Sequence, residues 1–222
     1  MKSAPFNDNS TPPEPADKAN TAQLLAAAQA AAPANPGIPR TADLLGNNSP
    51  SRLFDPEAGS NVVVLLDNSM GMMTNGKSFS ARQEVVRTLL SMNAAKTFCV
   101  LFFHSGGYDA MPSAGPLPAT PENVRSMTNW LFSVGHRIGA DPTRAVQRAL
   151  EMAPAPDTLW LLSGSDFSDD VIDSIRQANA SVSARINTIG FYTRDGEQAL
   201  RKIAGENRGA YRFVPPPNLP AP

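Results

Sequence analysis

The sequence predicts an α/β domain with a doubly wound, mostly parallel central sheet flanked by helices, preceded by a disordered N-terminal tether. Short apolar runs without polar alternation, first Val62-Val63-Val64-Leu65-Leu66, read as strands buried on both faces, as parallel strands are. These runs alternate with stretches whose apolar residues recur at helical spacing, the arrangement of βαβ units. Upstream of about residue 57 the composition shifts to Pro, Ala, Asn, Ser and Thr, with too little apolar surface to offset the entropy of ordering.

Taken in order, 1–57 is expected to be a linker, with one local helix over 21–32 where Ala dominates and Pro33 stops it. Over 33–60, punctuated by Pro and Gly, Leu44-Leu45 and Leu53-Phe54 are apolar pairs able to dock. The domain is expected over 58–215, followed by a Pro-rich tail over 216–222. Its first strand is 61–67. A helix over 79–92 buries Val85, Val86, Leu89, Leu90 and Met92. The second strand is 97–103, then a loop with a short edge strand over 108–111. Pro121-Glu122 opens a helix with Val124, Met127, Trp130, Leu131 and Val134 at helical spacing. The next helix, 143–152, has Pro142 in its first turn behind Asp141 as cap. Strand 158–163, helix 169–180, strand 185–192, helix 196–206 and strand 210–214 complete the fold. Right-handed crossovers then bring the ends of strands 61–67 and 158–163 to one rim of the sheet.

The 222 residues suffice for one sizeable domain plus flanking sequence, and 41% apolar residues suffice for a core. A net charge of −1 leaves no basic footprint for nucleic acid or anionic lipid, so a protein is the expected partner. No apolar run reaches bilayer length, so no direct membrane insertion is expected. The N-terminus lacks a secretory pattern, which makes the cytoplasm the default compartment; the cell envelope is the alternative if an anchor or signal lies upstream. The single cysteine, Cys99, sits in an apolar run and reads as a small buried hydrophobe.

Functional chemistry concentrates where the first strand ends. Asp67, Ser69 and Gly71 in Asp67-Asn68-Ser69-Met70-Gly71-Met72 put a carboxylate and a hydroxyl at the rim where open α/β sheets bind ligands. This stretch resembles the first loop of a von Willebrand factor type A domain, a Rossmann-like fold whose metal-ion-dependent adhesion site begins Asp-x-Ser-x-Ser. Gly139-Ala140-Asp141-Pro142-Thr143 resembles the second loop, usually Gly-Gly-Thr before a helix. The run from Leu159 to Leu162 followed by Ser163-Gly164-Ser165-Asp166 resembles the third, an apolar strand into Asp. The likeness extends from Asn61 to Val214, through Phe103-His104-Ser105 and Ile189-Gly190-Phe191-Tyr192.

What the resemblance implies is an adhesion or assembly module holding Mg²⁺ through oxygens from three loops, with a partner carboxylate completing the shell. Carried over residue by residue, Asp67 and Ser69 match. Gly71 and Gly164 stand where the family has oxygen ligands, and Asp141 stands where it has Thr. Asp67, Ser69, Asp141 and Asp166 are therefore the candidate metal set of a degenerate site. Asp67, Met70, Met72, His104, Asp141 and Ser165 are the candidate partner contacts, since methionines at a rim make an adaptable surface.

Catalysis finds little support. Two histidines, His104 and His136, are too few for a zinc cluster, and Ser163-Gly164-Ser165 lacks a nucleophile elbow. The alternative reading is a nucleotide-binding or hydrolytic domain. Gly71 to Gly76-Lys77-Ser78 satisfies the phosphate-loop spacing, but the strand ends four residues before the first Gly and three methionines would crowd the phosphates. A non-catalytic interaction module accounts for more of the chain.

Overall fold

The computed structural model describes residues 53–55, 59–113 and 115–216. The expected helix over 21–32, most of the linker and nearly all of the tail lie outside them. The elements are β1 (Asn61–Asp67), a 3-10 helix (Met70–Gly76), α1 (Lys77–Ser91), β2 (Thr97–His104), β3 (Gly107–Ala110) and β4 (Leu117–Pro118). They continue as α2 (Pro121–Ser133), α3 (Thr143–Leu150), β5 (Thr158–Ser163), α4 (Asp169–Asn179), β6 (Arg185–Phe191), α5 (Glu197–Glu206) and β7 (Tyr211–Val214).

Seven strands form one sheet in the order β3-β2-β1-β5-β6-β7, with β4 also paired to β2. Pairing is parallel from β2 through β1, β5 and β6 to β7; only β3 and β4 run antiparallel, both against β2. The chain steps from β1 to β2 on one side and later returns to β5 on the other. The strand order therefore reverses between β1 and β5, which is where such sheets leave a crevice at their carboxyl ends.

β1 is buried along its whole length, and strand alternation divides its side chains between two cores. Val62, Val64 and Leu66 join Val85 and Leu89 of α1 and Val124, Met127 and Leu131 of α2. Val63 and Leu65 face the other layer, with Ala145 and Val146 of α3, Ile172 and Ile175 of α4 and Leu200 and Ile203 of α5. At about 25 cal/mol per Å² of apolar surface removed from water, this two-sided burial supplies the main drive for the fold.

Differences from the sequence reading lie mostly at boundaries. Leu53 and Phe54 are buried in the α1/α2 core, with Phe54 edge-on to Trp160 at 5.9 Å. Packed structure thus begins upstream of residue 58. Leu90 is exposed rather than buried. Residues 70–76 coil as 3-10 helix where a loop is expected, and α1 opens at Lys77 directly behind them.

Candidate functional site

At the end of β1, Asp67 is buried and accepts three hydrogen bonds. The Ser69 N–H donates to Oδ1 at 2.8 Å, the local turn that Asp favours. The hydroxyls of Ser163 and Ser165 donate to Oδ2 at 2.6 and 2.9 Å. Ser163 in turn accepts from the Ser165 N–H at 2.9 Å. The first and third loops are thereby joined across the β1/β5 crevice, with both carboxylate oxygens engaged.

Between Asp67 and Ser69, the fully buried Asn68 points the other way and fastens three more segments. Its N–H donates to Phe103 O at 3.0 Å and its carbonyl accepts from the Arg137 N–H at 2.9 Å. Its Nδ2 donates to Gly135 O at 2.8 Å. Its Oδ1 accepts from Arg82 Nη2 at 3.2 Å, while Arg82 Nη1 donates to Leu131 O in the last turn of α2 at 2.7 Å. Arg82 is only 5% exposed and lies over the Phe102 ring at 4.7 Å, so its charge is held by carbonyl dipoles and a π face. Neither Asn68 nor Arg82 is marked by a sequence motif.

The remaining expected site residues are placed as follows. Ser69 is buried, and its hydroxyl makes no hydrogen bond among the described residues. A Cβ built on Gly71 would lie 3.5 Å from that hydroxyl, so the absent side chain of the third motif position would fit. Asp141 Oδ1 accepts from the Thr143 N–H at 2.9 Å, one residue ahead of the N-cap position, which Pro142 occupies rather than the first turn. Asp166 is exposed and accepts from the Phe167 N–H at 2.9 Å, while Phe167 inserts beside Phe103. His104 Nδ1 accepts from the Gly106 N–H at 3.1 Å, and its Nε2 lies 3.7 Å from Asp109, which also binds Arg137. Gly139 adopts φ +68°, and a Cβ there would meet Ser105 Oγ at 2.1 Å. Only glycine lets the second loop lie this close to the end of β2.

One expectation is corrected. Met72, expected beside Met70 as a partner contact, is 1% exposed and belongs to the α1/α2 core. The 3-10 turn explains it: at three residues per turn Met70 and Met73 share the outer face, 53% and 54% exposed, and Met72 turns inward.

The three acids of the expected metal set are not gathered around one point. Asp67, Asp141 and Asp166 each accept hydrogen bonds within their own loops or across the crevice. Among the described residues no three His, Cys, Asp or Glu side chains come together to hold a metal ion. The phosphate-loop alternative is also reshaped: Met72 is tucked into the core, and the Lys77 ammonium turns toward Gly164.

Two cavities border these loops or lie far from them. A groove of about 300 Å³ beside the rim is lined by Met73, Phe79, Arg82, Phe132 and His136. A larger one, about 440 Å³, lies at the opposite end of the strands among Lys96, Asp157, Arg185 and Arg208, and is separate from the Asp67 loops. Chemistry, rather than volume, favours the rim.

A mostly parallel sheet with an Asp-x-Ser loop at its switch point, tied to the loop after the neighbouring strand, is the architecture of a von Willebrand factor type A fold. No family model matches the sequence, and no curated protein matches it. Solved structures do. A von Willebrand factor type A protein from Catenulispora acidiphila superposes at TM-score 0.64 and 17% identity, over 70% of this chain and 38% of that one. BatB, a conserved hypothetical protein from Bacteroides thetaiotaomicron, gives 0.59 and 15%, over 72% and 92%. The SpRpn10 VWA domain gives 0.54 and 11%, over 73% and 91%. At these identities the likeness is one of fold.

Proposed function

We propose that the chain is a non-catalytic protein-docking module whose binding surface is the rim around Asp67. The observation that carries this is the placement of exposed apolar side chains. Met70, Met73, Tyr108, Phe132 and Ile138 are large and exposed, Ile138 at 83%, and all belong to segments at the carboxyl end of β1 and β2. Leu90, at the far end of α1, is the one such residue elsewhere among those described. Grouped exposed apolar side chains are the signature of an interaction surface, whereas scattered ones are ordinary.

The same end of the molecule also carries the polar side chains of His104, Ser105, Asp109, Arg137 and Ser165, and interfaces combine such polar groups with apolar anchors. Asp67 works beneath this surface by holding the first and third loops together. Asp141 likewise holds the start of α3. A rim reading is tested by capture of a crosslinked partner from source extract, with identification by mass spectrometry. Met70→Ser with Ile138→Ser is expected to reduce recovery of that partner at least tenfold, while Leu90→Ser leaves it unchanged. Equal recovery by both variants refutes the reading.

A further inference from the structure

We propose that the groove between α1 and α2 seats a tyrosine side chain of the docking partner, its phenol oxygen meeting Arg82 and His136. This rests on the docking reading and names the anchor of that surface. The groove of about 300 Å³ is lined by Met73, Ser78, Phe79, Arg82, Phe132 and His136. That is the small end of ligand pockets, with room for one ring rather than a folded segment. Phe79 and Phe132 pack ring to ring between the two helices, centroids 5.7 Å apart at 56°. Phe132 and Met73 are nonetheless exposed, so the groove keeps apolar surface uncovered. A third ring laid against that pair gains area and the tilted or offset contact that aromatic rings prefer.

Polar atoms of the groove select among aromatic side chains. Arg82 is 5% exposed, and its Nε is a buried nitrogen with no hydrogen-bond partner among the described residues. His136 Nε2 is another. Both residues are positioned by the first loop. Arg82 Nη2 donates to Asn68 Oδ1 and Nη1 to Leu131 O, which leaves Nε over. Asn68 also bonds the backbone on either side of His136, at Gly135 O and the Arg137 N–H. Burial, and then the Arg82 charge, lowers the His136 pKa from its ordinary value, so the ring is uncharged at about pH 7. A buried donor left unpaired bears its full desolvation cost, which a ligand relieves by pairing it. A phenol accepts from Arg82 Nε–H, and it either donates to the imidazole lone pair or accepts from its N–H. Phenylalanine satisfies neither nitrogen. The indole N–H of tryptophan only donates, which leaves Arg82 unpaired.

The test uses the full chain, ¹⁵N-labelled, titrated with acetyl-tyrosine-amide and acetyl-phenylalanine-amide. Saturable shifts at Ser78, Phe79, Arg82, Phe132 and His136 are expected with the tyrosine amide, at a Kd on the order of 1 mM. The phenylalanine amide should bind the same residues roughly tenfold more weakly, a comparison that needs no variant. In His136→Leu that preference should shrink to about threefold, since only the Arg82 bond remains. A purely structural role for His136 would weaken both amides alike and leave the preference intact. Equal binding of the two amides, an intact preference in His136→Leu, shifts confined to Tyr108 and Ile138, or no saturation up to about 20 mM would each overturn the proposal. In partner capture, His136→Leu should lower recovery alongside Met70→Ser with Ile138→Ser. If capture depends on Met70 and Ile138 but not on His136, the docking surface stands and the tyrosine anchor falls. If it depends on neither, the surface itself is wrong.

Discussion

Asn68 carries much of the first loop's structure, since its backbone and amide groups reach three separate segments, the end of β2, the 135–137 loop and α1. Asn68→Ala removes the side-chain partners of Gly135 O and Arg82 Nη2, at about 1–3 kcal/mol, while Arg82 Nη1 keeps Leu131 O. Urea unfolding should show a lower midpoint with an unchanged slope. Gly71→Ser is the opposite case: its Cβ meets only Ser69 Oγ, at an ordinary 3.5 Å, so melting should be unaffected. Mn²⁺ calorimetry on that variant should still give no heat, because one added hydroxyl frees none of the engaged carboxylates.

Cys99 makes a pH prediction. Burial, the largest cause, pushes its thiol from 9.0 up to about 11 against a smaller lowering by Arg148. Between those values the unfolded chain has released a proton that the folded chain keeps, so stability falls as pH rises from about 9 to 11 and is unaffected below 9. The loss attributable to this group is roughly 2–3 kcal/mol. Comparing urea midpoints at pH 8 and 10.5 for the wild type and Cys99→Ala isolates it; an identical drop in both removes the attribution. Asp67 and Ser69 were legible because they adjoin in sequence. Ser163 as the partner of Asp67 and Lys77 as the neighbour of Gly164 were not, because those pairings cross the sheet and close only in the fold.

Elements with strong periodicity were legible almost to the residue. β1, β5 and α2 announce themselves through apolar runs and a Pro at the first helical turn; the structure adds a Thr120 cap to α2, whose hydroxyl accepts from the Asn123 N–H at 3.4 Å. The 3-10 helix was not, since Gly71 and Asn75-Gly76 read as turn and its three-residue period is too short to register. Its consequence was the misplacing of Met72. A second feature invisible in sequence joins the ends of three elements. Asn179, closing α4, donates to Ala184 O and Asn207 Oδ1 at 2.8 Å each and accepts from the Ala184 N–H at 2.8 Å. Asn207, after α5, donates to Ile203 O at 2.8 Å. Asn179→Ala should therefore cost more than one ordinary bond, about 2–4 kcal/mol, and raise amide exchange at the start of β6 and the end of α5 together. Exchange raised in α4 alone would show that the two ends are not coupled.

At the scale of the molecule, the described chain keeps its two cores apart by the sheet and gathers exposed apolar side chains at the carboxyl end of β1 and β2. No helix among the described residues is long and apolar enough to cross a membrane. With the loop carboxylates engaged internally, the fold should draw no stability from a divalent ion. The melting temperature should agree within about 1 °C in EDTA and in millimolar Mg²⁺, whereas ligation of the native state would raise it with concentration.

Asn68 also has a bearing on time. A loop fastened at every polar group of its central residue has no folding left to do when another molecule arrives, so capture is not gated by rearrangement. Stopped-flow traces of association should then be single exponentials whose rates rise linearly with partner concentration. In Asn68→Ala, where the loop must find its shape first, the same plot should bend toward a plateau.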